Sequence, residues 1–315
     1  MEIIRDRSNL KPEHRGSAAT IGNFDGVHAG HQAILSELRK QATMRGVPTV
    51  VVTFEPTPRE YFAPDSAPPR LTGLREKHEM LDYHGIARML VLRFDAALAA
   101  LPAERFIREI LVDGLGIRYL VIGDDFRFGK GRAGDLAMLQ AAGREHGFDV
   151  AATPTQTHAG QRISSTLVRE ALADGDLALA RELLGRGYRM SGKVISGDRI
   201  GRQLGYPTAN LRRASRKLPV SGIFLVRVYG LDGEPLYGVA SAGTRPTVNG
   251  RHAQVEVYLF DFDRDIYGRH IEVEFLEKLR DEEKFADLDA LREQIRLDVN
   301  EGRLRMVEWQ KRDRA

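Results

Sequence analysis

Apolar positions recur along the chain with two different periods, and the change between them divides it in two. Up to about residue 184, short apolar runs alternate with stretches whose apolar residues return every three or four positions. The runs at 18–21, 50–54, 87–92, 119–122 and 148–152 read as buried strands. Ile34, Leu35, Leu38 and Ala42 share one helical face, and residues 74–84 read as a second helix. Pro102 opens a third, with Phe106, Ile107, Ile110 and Leu111 on one side. Strands alternating with helices predict an α/β fold, a doubly wound parallel sheet. Ligands bind such sheets at the carboxyl ends of the strands. His28, Phe54-Glu55-Pro56 and Gly123-Asp124-Asp125-Phe126 all fall there.

After Gly185-Arg186-Gly187 the period becomes two, with little helix until about residue 286. Residues 223–229, 254–260 and 271–275 are the clearest strands, and Asp232-Gly233 and Asn249-Gly250 are hairpin-turn signals. This half predicts a small antiparallel β-barrel. Leu288, Leu291, Ile295 and Val299 predict a terminal amphipathic helix packed on it, preceded by a solvated loop at Asp281-Glu282-Glu283-Lys284. The expected domains are residues 1–185 and 186–315.

Composition narrows the class. The 315 residues are 42 % apolar and 29 % charged, an ordinary globular balance long enough for two cores. A net charge of +3 does not mark a nucleic-acid surface. No run of about 18 apolar residues predicts a membrane span, and the N-terminus lacks a signal-peptide pattern. With zero cysteines there are no disulfides or thiolate metal sites, which agrees with a cytoplasmic location. The expected partners are therefore small molecules, not nucleic acid or membrane, with self-association left open.

Chemistry enters at Gly22-Asn23-Phe24-Asp25-Gly26-Val27-His28-Ala29-Gly30-His31, between a strand and a helix. Free backbone N–H groups and the positive end of the helix dipole meet there, an arrangement suited to a phosphate chain. His28-Ala29-Gly30-His31 resembles the HxGH signature of nucleotidyltransferases. A second segment, Arg162-Ile163-Ser164-Ser165-Thr166-Leu167-Val168-Arg169, combines hydroxyls with flanking guanidinium groups at a helix start, a good triphosphate cradle. Gly22, Phe24, His28, His31, Arg162, Ser165, Thr166 and Arg169 are the expected ATP-binding set. Transfer of a nucleotidyl group to a phosphate acceptor needs charge stabilisation more than a general base. Asp125 is a candidate for the acceptor or base side. Phe62 and Phe128 could stack on a planar acceptor ring, and core packing is an equally good use for either.

The barrel half carries its own candidates. Thr208 and Asn210 lie two apart on an extended segment, so both side chains face one way and could share a hard cation such as Mg²⁺. Gly197, Gly201 and Gly205 precede them as a loop able to cover phosphates. A kinase acting on an alcohol needs a carboxylate to orient and deprotonate the hydroxyl. Glu256 could serve, facing away from Val255, Val257 and Leu259, but strand periodicity allows Glu272 or Glu274 equally.

The two halves together resemble the bacterial bifunctional riboflavin kinase/FAD synthetase family over roughly residues 15 to 305. The resemblance is carried by the two segments above, by Gly205-Tyr206-Pro207-Thr208-Ala209-Asn210 and by Gln254-Val255-Glu256-Val257-Tyr258, with Tyr267-Gly268 and Glu272-Val273-Glu274-Phe275 also fitting. It implies that the C-terminal module phosphorylates riboflavin to FMN with ATP, with Glu256 as base and Thr208 and Asn210 on Mg²⁺. It further implies that the N-terminal module transfers AMP from ATP to FMN, giving FAD and pyrophosphate, with His28 and His31 acting on the phosphates.

Overall fold

In the computed structural model, which describes residues 1–197, 200–212, 217–231, 233–247 and 250–314, the chain forms two compact units. One comprises Met1–Pro68 with Leu74–Ser164, the other Pro69–Gly73 with everything from Ser165 onward.

The strands of the first unit are β1 (Glu2–Arg5), β2 (Ala18–Ile21), β3 (Thr49–Glu55), β4 (Arg88–Arg93), β5 (Tyr119–Gly123) and β6 (Asp149–Thr153). The inner four are buried along most of their length because both faces of the sheet are covered. All pair in parallel, in the order β1-β4-β3-β2-β5-β6. Alternate residues go to opposite cores: Ala19, Ile21, Val50, Val52, Leu90 and Leu92 to one, and Ala18, Val51, Met89, Val91 and Val121 to the other. The helices are α1 (Ala29–Arg45), α2 (Pro58–Phe62), α3 (Leu74–Tyr83), α4 (Ala96–Ala99), α5 (Ala103–Phe106), which continues as a wider-pitched turn through Val112, and α6 (Leu136–His146). Leu35, Leu38 and Ala42 of α1 and Leu81 of α3 fill one core. Phe106, Ile107, Ile110 and Leu111 fill the other, as their spacing predicted. The edge strand β1 had no sequence signal, because only Ile4 of its four residues is buried. A short hairpin of β7 (Thr157–His158) and β8 (Gln161–Arg162) follows the sheet.

The sheet order reverses between β2 and β5. From β2 the chain builds outward through β3 and β4, then returns to β5 on the other side. A crevice opens at the carboxyl ends of strands at such a reversal. The turn carrying His28 leaves β2 there, and the loop carrying Asp125 leaves β5.

The second unit begins with α7 (Ser165–Asp174) and α8 (Leu177–Leu184), which the expected division after residue 185 had placed with the sheet. It continues with β9 (Tyr188–Ile195), α9 (Ile200–Gln203), β10 (Ala209–Arg212), β11 (Gly222–Tyr229), β12 (Leu236–Thr247), β13 (Gly250–Leu259), β14 (His270–Arg280) and α10 (Leu288–Arg314). The strands close an antiparallel barrel in the order β10-β13-β12-β11-β14-β9, with β9 pairing back to β10. The turn residues Asp232 and Asn249 lie outside the described residues, although Thr247 pairs opposite Gly250. The face of α10 against the barrel carries Ile295, Val299, Met306 and Trp309. Leu288, expected on that face, is 55 % exposed because it opens the first turn of the helix, before the packed stretch. The run 281–284 is exposed, as its charge predicted.

Candidate functional site

The turn between β2 and α1 is held in an unfavourable backbone conformation. Phe24 (φ 47°), Gly26 (φ 83°) and Val27 (φ 42°) all adopt positive φ. For a β-branched residue such as Val27 this costs on the order of 1–3 kcal/mol. Complete burial of the Phe24 and Val27 side chains offsets the strain. Phe24, expected among the ATP-binding residues, is therefore an internal anchor: it is 1 % exposed, and its ring lies 4.9 Å from that of His31.

The strained turn delivers His28 to the N-cap of α1, where its Nδ1 accepts the His31 backbone N–H at 3.4 Å. The two imidazoles stack with centroids 3.7 Å apart. Gly30 between them leaves the His28 ring its room, since a Cβ there would lie 3.1 Å from His28 Cε1 and press on that imidazole. Burial first, then the charges of His28, Lys77 and Arg162, hold the His31 imidazole well below its usual range, so it is neutral at pH 7. Its Nδ1 is buried with no hydrogen-bond partner among the described residues, which leaves a polar atom for a ligand to satisfy.

Other predicted residues separate according to burial. Arg162 and Asp125, assigned to ATP and to the acceptor, form an ion pair at 2.6 Å. The guanidinium hydrogen bond holds the Asp125 carboxyl below its ordinary range, which does not suit a base. Phe128 is 6 % exposed and packs against Phe106 and Phe126 in the core. Phe62 is 68 % exposed and forms an open aromatic group with Tyr61 and Phe94. Gly22 follows β2 and its N–H donates to the Val52 carbonyl. Ser165 and Thr166 open α7 in the second unit. Arg169 of the same helix donates from Nε to the Pro69 carbonyl at 2.7 Å, so part of its hydrogen-bonding capacity fixes the chain rather than facing a ligand.

In the barrel, Asn210 pairs across the strands with Glu256. The Thr208 hydroxyl donates to Glu256 Oε2 at 3.1 Å. Two clefts share Thr208 as a lining residue. One, about 260 Å³, includes Gly197, Arg202, Asn210 and Arg264. The other, about 340 Å³ and more apolar, includes Gly201, Tyr206, Glu256, Tyr258, Ile223 and Val239. Asn210 is 6 % exposed, and its Oδ1 accepts from Gln254 Nε2. A Cβ at Gly197 would lie 2.6–2.7 Å from the Asn210 amide, so only glycine leaves that side chain its place. Strand periodicity left three carboxylates open, and tertiary contacts separate them. Glu274 is 4 % exposed, accepts the Tyr229 hydroxyl at 2.6 Å and is flanked by Arg181 and Arg189. Burial and that carboxylate push the Tyr229 hydroxyl up to about 12. Glu272 is paired with Arg189. Glu256 alone of the three lines a cleft beside a hydroxyl of the predicted metal pair.

The FAD synthetase family profile matches residues 10–167 and the riboflavin kinase profile residues 184–305. The bifunctional riboflavin kinase/FMN adenylyltransferase of Escherichia coli K12 is 50 % identical to this chain, over 95 % of it and 96 % of the relative. That of Pseudomonas fluorescens is also 50 % identical, over 96 % and 97 %. The chain belongs to the bifunctional riboflavin kinase/FMN adenylyltransferase family. The crystal structure of a macrolide-efflux protein from Streptococcus pneumoniae has the same fold, with TM-score 0.78, 30 % identity and coverage of 95 % of this chain and 97 % of that one. Among the described residues, no helix is long and apolar enough to cross a membrane.

Burial and tertiary contacts bring in two groups that sequence patterning missed. Lys77 is 3 % exposed and donates to Thr53, yet it falls within an ordinary helical pattern with no motif around it. Gln254 lies in the Gln254–Tyr258 segment, and its Nε2 donates to Asn210 Oδ1. Neither has a signal in a single sequence, because each acts through a partner more than 20 residues away.

Proposed function

We propose a division of labour between two ATP-using sites in a chain that phosphorylates riboflavin to FMN and adenylylates FMN to FAD. The adenylylation module is residues 1–185 and the kinase module 186–315. The two family profiles, in that order along one chain, support this division.

In the kinase module, the observation that carries the reading is the 3.1 Å contact of Thr208 with Glu256 where two clefts share a wall. The more apolar cleft suits the flavin ring, and it brings the ribityl hydroxyl to Glu256, which orients it and takes its proton. The other cleft takes ATP, with Gly197 and Gly201 over the phosphates. The donor set fits Mg²⁺: a hydroxyl and an amide oxygen supply hard ligands. Thr208 and Asn210 would hold the ion, which when bound neutralises charge on the phosphates. Gln254 and the bare backbone at Gly197 keep the Asn210 oxygen in place.

In the adenylylation module, His28 and His31 bind the ATP phosphates as hydrogen-bond donors, together with Arg162; Ser165, Thr166 and Arg169 keep the phosphate-binding role that their motif implies. The FMN phosphate is already ionised at neutral pH and needs no base, which accords with the ion-paired Asp125. Asp125 instead presents Arg162, and the exposed ring of Phe62 offers a stacking face for the isoalloxazine. Gly22 lets the backbone approach the nucleotide. The partners are small molecules, with no nucleic acid among them, and the reactions are cytoplasmic.

Chromatography after incubation with riboflavin, ATP and Mg²⁺ tests both assignments. FMN should appear first and FAD after it, and FMN supplied with ATP should give FAD and pyrophosphate. Absence of FMN under oxidising and reducing conditions alike would remove the kinase assignment.

A further inference from the structure

Lysine is among the residues least often enclosed, because an ammonium loses its hydration there. Lys77 of α3 is nevertheless 3 % exposed. Its Nζ donates to Thr53 Oγ1 at 3.3 Å, at the carboxyl end of β3. Thr53 is fully buried, and its hydroxyl donates to the Asn23 carbonyl at 3.4 Å. Asn23 is the residue before Phe24, where the run of positive φ begins. A chain of hydrogen bonds therefore runs from the ammonium through β3 into the strained turn that presents His28 and His31.

The charges felt by His31 come from three directions: His28 on its own turn, Arg162 on β8 and Lys77 on α3, all positive. Arg162 is half exposed and shares its charge with Asp125. Lys77 is enclosed, where a lower dielectric makes its field more effective. A fixed cation under a phosphate-binding turn stabilises the charge that grows on the α-phosphate and the departing pyrophosphate.

We propose that Lys77 is a positioning residue of the adenylylation site: its ammonium, through Thr53, pins the Asn23 end of the histidine turn and supplies the buried positive charge beneath the ATP phosphates. This rests on the reading that His28 and His31 bind those phosphates. The lysine acts through the turn, and no bond to the substrate is required of it.

Three variants of the full chain test the proposal: Lys77→Met, Lys77→Arg and Thr53→Val. FAD formation from FMN is measured against pH, riboflavin phosphorylation serves as the control, and the His31 imidazole is titrated by NMR. Lys77→Met should lower FAD formation about a hundredfold, on the scale of losing one preorganised stabilising group, and leave FMN formation within about twofold. Removing a cation beside His31 favours the imidazolium, so its titration should move upward toward the usual value of about 6.5, and the acid limb of FAD formation should move with it. Lys77→Arg should keep the titration near that of the unaltered protein. Thr53→Val keeps the charge and cuts the link, so it should slow FAD formation while leaving the His31 titration in place. A folded Lys77→Met protein with unchanged His31 titration or unchanged FAD formation overturns the proposal. If that substitution prevents folding, normal FAD formation by Thr53→Val overturns it instead. His28→Ala separates the two levels: if it leaves FAD formation intact, the reading of the histidines fails, whereas loss in His28→Ala with none in Lys77→Met refutes the lysine's role alone.

Discussion

The two sites handle the same co-substrate with different materials. The proposed site of the sheet unit lies on a strained, buried turn where the strand order reverses, and is made of imidazoles and guanidinium. The proposed barrel site combines a hydroxyl just before β10 with an amide and a carboxylate that the β10–β13 register sets opposite each other. The chemistry accounts for the difference. Nucleotidyl transfer to an ionised phosphate needs donors and positive charge, which a helix N-terminus and its flanking cations provide. Phosphorylation of an alcohol needs a proton acceptor next to a metal-binding pair. A β-ladder fixes that distance well, because opposed residues lie about 5 Å apart.

Substitutions can break or sharpen this contrast. Glu256→Ala should have the largest effect, lowering FMN formation by about 10²–10⁴ as expected for loss of a general base, with FAD still made from supplied FMN. His28→Ala should do the reverse, costing FAD formation about 10²–10³ and sparing FMN formation. Loss of both activities in either folded variant would show that the sites are not separate. Phe128→Ala should destabilise the sheet unit by about 3–5 kcal/mol, as for a large aromatic cavity, measured by denaturant unfolding. Phe62→Ala should leave stability unchanged and raise only the KM for FMN. If the two phenylalanines exchanged these phenotypes, their burial would have been misread. Gly197→Ala, which forces the Asn210 amide to move, should have the smallest effect: about a tenfold rise in the Mg²⁺ and ATP requirement of the kinase, the cost of losing about 1.4 kcal/mol, with adenylylation untouched.

Much of this was legible from residue order. The sheet strands other than β1, the faces of α1 and of the helix beginning at Ala103, and the antiparallel character after Gly187 follow from periodicity, and the exposed run at 281–284 from its charge. The His28/His31 turn was legible because strand, glycines and helix start are contiguous. The choice among Glu256, Glu272 and Glu274 was not legible by pattern, because alternation only says which face a residue occupies. It depends on which distant side chains each carboxylate meets: Thr208 for Glu256, and Arg181, Arg189 and Tyr229 for Glu274. Phe62 and Phe128 are equivalent as letters and differ only in what packs over them.

Local order along the chain thus determined the two architectures, the family and the candidate residues for the chemistry, because strand and helix periods and the motifs are short-range properties. Tertiary structure alone decided which of those residues are exposed to a ligand, which are consumed in packing or ion pairs, and that a buried lysine supports the histidine turn. Burial and pairing join residues dozens of positions apart, and a single sequence holds no record of which distant groups will meet.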